Sequence, residues 1–165
     1  MRRFLSLTLC AAAACAGEPA IPNGSMTEGG DTPTGWSETY TMKGRVVVAR
    51  DTEVFASAPA SLRLESLAGE AVGNVNAFIS DASGTFTVSG KVRSQGLKRT
   101  VVAVMGFDQT WQMKQWVDLY ETKADVDWTS FSKPVSIDPA VKHVKLCLMI
   151  EGDGKAWIDD VEVKR

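Results

Sequence analysis

An all-β fold is what this sequence predicts, and three observations predict it. Short runs of alternating apolar and polar residues recur along the chain, separated by Gly, Asp, Ser or Pro. No stretch after residue 16 carries the 3.6-residue apolar period of an amphipathic helix. The 165 residues suffice for one domain with a real core and are too few for two. About nine or ten strands with no helix make a two-sheet sandwich or a barrel.

The chain opens differently. Arg2-Arg3 form a basic start, Phe4 to Ala14 an apolar run too short to span a bilayer, and small residues follow. Residues 1–16 therefore read as an export signal, and no later stretch approaches a membrane-spanning length. Two processing readings stand side by side. Ala14-Cys15-Ala16 is an ordinary secretory cleavage site, whereas Ala12-Ala13-Ala14-Cys15 resembles a bacterial lipobox that would leave a lipid on Cys15. The destination is the cell envelope or the medium, and a lipid would be the only membrane contact. Residues 17–22 have the composition of a linker, and residues 23–165 form the domain.

Without Arg2 and Arg3, the 18 basic residues fall to 16 against 20 acidic ones, a net charge of −4. That balance, with no basic stripe, argues against nucleic acid. Of the three cysteines only Cys147 lies beyond the signal region, so no intrachain disulfide framework is expected. The single histidine, His143, falls on an outward strand phase. Cys–His catalysis and His-rich zinc sites thus lack material, no spacing isolates a catalytic carboxylate pair, and the chain reads as a non-enzyme.

In order, the expected strands are Arg45–Arg50, Ser61–Ser66, Gly84–Arg93, Arg99–Phe107, Met113–Glu121, Phe131–Ile137, Val141–Ile150 and Ala156–Lys164. Gly84–Arg93 alternates most clearly, with Phe86, Val88 and Val92 on one face. Arg99–Phe107 is apolar on both phases, the mark of a central strand covered on both sides. The predicted core comprises Trp36, Leu62, Leu64, Phe86, Val88, Val101, Ala103, Val117, Leu119, Val144, Leu146, Leu148 and Ile158.

Two stretches bear on chemistry. In Met113–Glu121, Met113, Val117 and Leu119 make the inner phase and leave Lys114, Trp116, Asp118 and Tyr120 outside. Four strand residues span about 13 Å, a spacing that suits Trp116 and Tyr120 as platforms under two non-adjacent sugar rings, with Lys114 and Asp118 meeting hydroxyls. Trp111, in the turn-like Asp108–Gln112, is expected at an exposed hairpin tip. In the last strand, Trp157, Val161 and Val163 share a phase with Asp159. A carboxylate on a core-facing phase needs a partner: a metal ion, a buried Arg or a β-bulge at Asp159-Asp160 would each resolve the conflict.

A set of motifs then appears in order: Asn23-Gly-Ser-Met26, Thr34-Gly-Trp36, Asp51 before Ser61-Leu-Arg-Leu64, Phe86-Thr-Val-Ser-Gly-Lys-Val92, Asp127-Trp-Thr-Ser-Phe131 and Trp157-Ile-Asp-Asp-Val161. Together they resemble the extracellular carbohydrate-binding modules of the galactose-binding-like jelly-roll type, often appended to bacterial cellulases and xylanases. The resemblance implies a two-sheet antiparallel jelly-roll sandwich that binds polysaccharide without catalysis, and the chain is expected to act as a monomer. The alternative is a structural or adhesive sandwich that meets a protein partner. The resemblance places Trp36, Trp128 and Trp157 in the core. It also implies a structural calcium, with Asp159, Glu28 and Asp51 as ligands. The sequence departs from the family at that site, where Met26 and Thr27 replace the usual aromatic-acid pair and Glu28 falls one residue late.

Overall fold

The computed structural model describes residues 17–165 apart from Ser37 and Ala68. The signal and Cys15 therefore lie outside the described residues. Eight strands follow in order: β1 (Glu38–Lys43), β2 (Val46–Asp51), β3 (Ser61–Ser66), β4 (Ala71–Phe78), β5 (Thr85–Phe107), β6 (Met113–Thr122), β7 (Val126–Ser136) and β8 (His143–Lys164). All pairings are antiparallel.

β5 and β8 organise everything else. They pair with each other from Thr87↔Lys164 to Phe107↔His143, and along the way they turn from one face of the molecule to the other. The first half of β8 also pairs β4, and the second half of β5 pairs β6, giving a front sheet in the order β1-β4-β8-β5-β6. The second half of β8 pairs β3, and the first half of β5 pairs β7, giving a back sheet β2-β3-β8-β5-β7. The two sheets are thus halves of one curled sheet. This is the predicted all-β jelly-roll sandwich, with the Gly84–Arg93 and Arg99–Phe107 runs fused into one strand and the last two runs into another.

Between the sheets lies one large core. The back sheet contributes Leu62, Leu64, Phe86, Val88, Val92 and Ile158; the front sheet contributes Val75, Ala77, Val102, Val104, Leu146, Leu148 and Ile150. Trp36 is fully buried there, and its indole N–H donates to the Pro22 carbonyl at 3.0 Å. Two strands escaped the sequence reading for physical reasons. β1 is an edge strand exposed along its whole length, so it carries no burial pattern. The inward residues of β4 include Ala71, Gly73 and Ala77, too small to mark an apolar phase.

Two predicted phases are corrected by bulges. In β8, Lys91 pairs Asp159 while Ser89 pairs Glu162, so one extra residue sits on β8. Asp160 takes a left-handed φ of 51° at this bulge. Ile158 therefore faces the core before the bulge and Val161 after it, while Trp157 and Asp159 share the outer face of the back sheet. Trp157 is buried, as expected, but under a surface layer: its indole donates to the Asp51 carboxylate at 2.9 Å, and the Arg93 guanidinium lies 5.5 Å from its ring. Trp128 is not part of the core; it is half-exposed on β7.

The second bulge lies in β6. Val104 pairs Val117 and Ala103 pairs Asp118, but Val102 pairs Tyr120, which leaves Leu119 as the extra residue. Trp116 and Tyr120 consequently lie on opposite faces. Tyr120 packs against the main core with Val117 and Leu119. Val101 and Ala103 are fully buried, but in a separate cluster with Met105 and Cys147 on the outer face of the front sheet. Met113 belongs to that outer face too and is half-exposed.

Candidate functional site

Register alone maps the outer face of the front sheet. Across the middle run Glu38, Asn76, Cys147, Ala103 and Asp118. On one side lie Tyr40, Asn74, Met149, Val101 and Glu121; on the other, Phe78, Lys145, Met105 and Trp116, followed by His143, Phe107 and Met113. The middle row is small at its centre, where Cys147 and Ala103 stand side by side, and the rows beside it carry rings and thioethers. The surface is therefore a groove, with a volume of about 570 Å³. Tyr40 and Trp116 stand at its two sides, 60 % and 39 % exposed.

Polar groups in the groove are few and specific. The Asn76 amide nitrogen donates to Asn74 Oδ1 at 3.0 Å and to the Glu38 carbonyl at 3.4 Å. Its oxygen, in a side chain 6 % exposed, has no hydrogen-bond partner among the described residues. A buried acceptor left without a donor costs about 1–3 kcal/mol. Lys145 is equally buried. Its ammonium donates to Glu38 Oε2 at 2.5 Å and lies 4.5, 4.9 and 5.7 Å from the ring centres of Phe78, Trp111 and Phe107. Three π faces and one carboxylate thus replace its lost water.

The sequence-derived candidates divide. Trp116 is in the groove, and its indole N–H donates to Asp118 at 2.6 Å, which ties Asp118 to the ring beside it. Tyr120 is on the core side, so the expected pair of platforms does not form. Lys114 turns away to pair with Asp108 at 3.1 Å. Trp111 does sit at the β5–β6 hairpin tip, half-exposed and with a left-handed φ of 64°. Asp108 builds that tip: its carboxylate accepts from Thr110 N, Thr110 Oγ1 and Gln112 N, bonds that hold it well below the usual carboxylate range. Trp111 lies flat on His143, 4.1 Å and 3° apart, so His143 is a stacking partner rather than a free surface side chain. Tyr40, Asn76 and Lys145 were not singled out from the sequence; β1 and β4, which carry two of them, left no readable pattern.

Cys147, beneath the groove, offers no nucleophile, since burial pushes its thiol up to about 12. The expected calcium ligands do not come together either. Asp159 Oδ2 accepts from Ala56 N and Ser57 N at 3.0 and 2.9 Å, and Oδ1 from Asp160 N at 2.7 Å. Asp51 is taken by Glu53 N, Val54 N, Arg63 and Trp157. Glu28 is exposed, and the carbonyls of Met26 and Thr27 accept from the Arg50 guanidinium at 2.8 and 3.2 Å. Among the described residues no group of three His, Cys, Asp or Glu side chains is arranged around a metal position. These residues fit a hydrogen-bonded corner with Arg50 as its fixed cation, and they do not fit a calcium ion.

A larger depression of about 630 Å³ lies on the back sheet, but Ser89, Ser130 and Ser132 line it and no exposed ring borders it. The front groove is the better-built site.

No family model matches the chain, and no curated protein matches it in sequence. Solved structures do match in fold. The chain is similar to the CBM22-1 xylan-binding domain of Paenibacillus barcinonensis Xyn10C, at 18 % identity with a TM-score of 0.63, covering 86 % of this chain and 90 % of that one. It is also similar to a family 16 carbohydrate-binding module, at 12 % identity with a TM-score of 0.63, covering 88 % and 99 %. The enzymatically active domain of bacteriophage CBA120 tailspike protein 4 matches with a TM-score of 0.69 at 15 % identity; there the similarity covers 87 % of this chain but spans only 21 % of the tailspike chain. At these identities the likeness establishes the fold: this chain has the β-sandwich of carbohydrate-binding modules.

Proposed function

We propose that this protein is an exported, non-catalytic module that binds a polysaccharide in the groove of its front sheet. The observation that carries the reading is the groove across the front sheet, flanked by the two exposed rings of Tyr40 and Trp116. Pyranose rings present C–H faces to aromatic side chains and hydroxyls to polar groups, and this groove offers exposed rings together with Asn74 and Glu38 in its lining. Structural neighbours that are a xylan-binding domain and a carbohydrate-binding module point the same way. The module works as a monomer at the cell envelope or beyond it.

Affinity electrophoresis of residues 17–165 through gels containing different polysaccharides tests this. Retardation that falls when Trp116 or Tyr40 becomes Ala is expected; unretarded migration in every gel would overturn it. Tyr40 and Met42, exposed on the edge strand β1 at 60 % and 66 %, favour one second reading, a sandwich that meets a protein through that edge.

A further inference from the structure

The hairpin between β5 and β6 carries a ring that its turn does not need. Trp111 sits at the tip with a φ of 64°, left-handed backbone that Gly or Asn adopts with less strain than a bulky aromatic residue. The tip is nevertheless fixed. The Asp108 carboxylate accepts from Thr110 N, Thr110 Oγ1 and Gln112 N and pairs with Lys114 at 3.1 Å. Beneath the Trp111 ring His143 lies 4.1 Å away and 3° from parallel, and the ring centres of Phe78 and Phe107 stand 6.0 and 5.9 Å from it. Trp111 is still 50 % exposed, so the face turned away from His143 is open.

That open face adjoins the groove. Phe107 and Met113 line the groove and pair with each other, and Phe107 also pairs His143, the residue under the ring. Trp111 thus lies over β8, while Trp116 rises from β6 with β5 between them. Two strand spacings, about 10 Å, separate the strands that carry the two rings, so the rings serve different sugars of one chain.

Resting on the polysaccharide reading, we propose that Trp111 is a rigid sugar platform outside the groove, which takes the glycan chain as it passes Met113. A pyranose C–H face stacks on the open side of the indole, and Gln109 and Gln112, both exposed beside it in the chain, offer amides to the hydroxyls. His143 meets no sugar; it is a positioning residue that holds the ring before the ligand arrives. A ring already fixed loses little freedom on binding.

Trp111→Asn keeps the left-handed preference of the turn and removes the ring. Calorimetric titration of residues 17–165 with trimers and hexamers of the xylo-, cello- and chito-series compares the variant with the parent. Three sugars cannot span both the groove and the Trp111 face. In each series that binds, the expected loss is therefore about fivefold for the hexamer and under about twofold for the trimer, the difference matching one ring stack. His143→Ala should weaken the hexamer in the same selective way, and His143→Phe, which restores a flat seat, should recover it. Unchanged hexamer affinity in Trp111→Asn, or an equal loss for trimer and hexamer, overturns the platform and leaves polysaccharide binding standing. Where no oligomer binds, the polysaccharide gels decide: retardation of Trp111→Asn equal to the parent overturns the inference, and unretarded migration of the parent in every gel removes the polysaccharide reading with it. Should Trp111→Asn fail to fold, Trp111→Leu, which keeps apolar bulk without a flat face, must show the selective hexamer loss for the inference to survive.

Discussion

The Lys145 ammonium lies 4.5 Å from the centre of the Phe78 ring, its direct partner across the β4–β8 ladder. A buried cation is held here by aromatic faces, with Glu38 as its one paired carboxylate among the described residues. Removing the cage should cost more than removing the charge. Phe78→Leu is expected to lower unfolding free energy by about 1 kcal/mol, because it strips one face from a desolvated ammonium. Lys145→Met keeps the stem and removes the charge, so stability within about 1 kcal/mol of the parent, or above it, is expected. Urea unfolding of the two variants decides; a larger loss for Lys145→Met would show that the ammonium makes bonds worth more than its desolvation.

Trp116 and Tyr120 separate binding from stability, because the β6 bulge puts them on opposite faces. Trp116→Ala should abolish polysaccharide retention while changing stability by under about 1 kcal/mol, since the ring is exposed on one side. Tyr120→Ala removes a ring packed against the core and should cost about 2–3 kcal/mol. Its retention, measured on the folded fraction, should be unchanged. Loss of retention in the Tyr120 variant alone would place the ligand on the other face.

Asp51 and Asp159 pin the loop between β2 and β3 to the back sheet. Burial pushes the Asp51 carboxyl up, but the Trp157 indole, the Glu53 and Val54 amides and Arg63 outweigh it, and the folded value ends below the ordinary 3.8. A carboxyl lowered on folding stabilises above its ordinary value and loses that contribution as pH falls through the folded value. Asp51→Asn should therefore cost about 1–3 kcal/mol at neutral pH and weaken the acid-side decline in stability measured by denaturant titrations. Asp159 differs: burial raises it, and its oxygens face only backbone N–H donors. Asp159→Asn turns an amide NH₂ towards one of those donors and should destabilise by about 1–3 kcal/mol, equally with and without a chelator. A chelator-sensitive unfolding temperature in the parent would restore the calcium expectation.

The fold was legible because period-2 alternation survives in strands with one buried face, as Phe86, Val88 and Val92 show. The site was half legible. Trp116 was readable because it interrupts a polar phase, and Trp111 because a turn precedes it. Tyr120 was misplaced because one bulge residue, Leu119, reverses the phase of everything after it, and no residue type in that strand announces the bulge. Asn76 and Lys145 gave no signal at all. An Asn flanked by Val and Ala on a weakly apolar strand reads as surface, and a Lys between Val144 and Leu146 reads as an outward residue. Their burial arises only when β4, β8 and β5 stand side by side.

The bulge in β8 carries the last prediction. Asp160 holds a φ of 51°, a region open to Gly and tolerated by Asn and Asp but costly for branched residues. Its carboxylate accepts from Ser57 Oγ at 2.7 Å and from Lys91 Nζ at 2.9 Å, so the bulge is also tied to the covering loop and to β5. Asp160→Asn keeps the backbone preference and one of these bonds and should cost about 1 kcal/mol or less. Asp160→Val loses both bonds and strains the backbone, for an expected loss of about 2–4 kcal/mol. Deleting Asp160 should cost less than Asp160→Val, because it removes the bulge instead of straining it. Without the extra residue Val161 follows Asp159 directly, so Val161 and Val163 stay on the core face, Glu162 stays outside, and the Lys91↔Asp159 and Ser89↔Glu162 pairs join in regular register; a folded protein lacking the two Asp160 bonds is expected. Thermal unfolding should place Asp160→Asn nearest the parent and Asp160→Val lowest, and a deletion variant that fails to fold would show that the bulge itself is needed to seat the covering loop on β8.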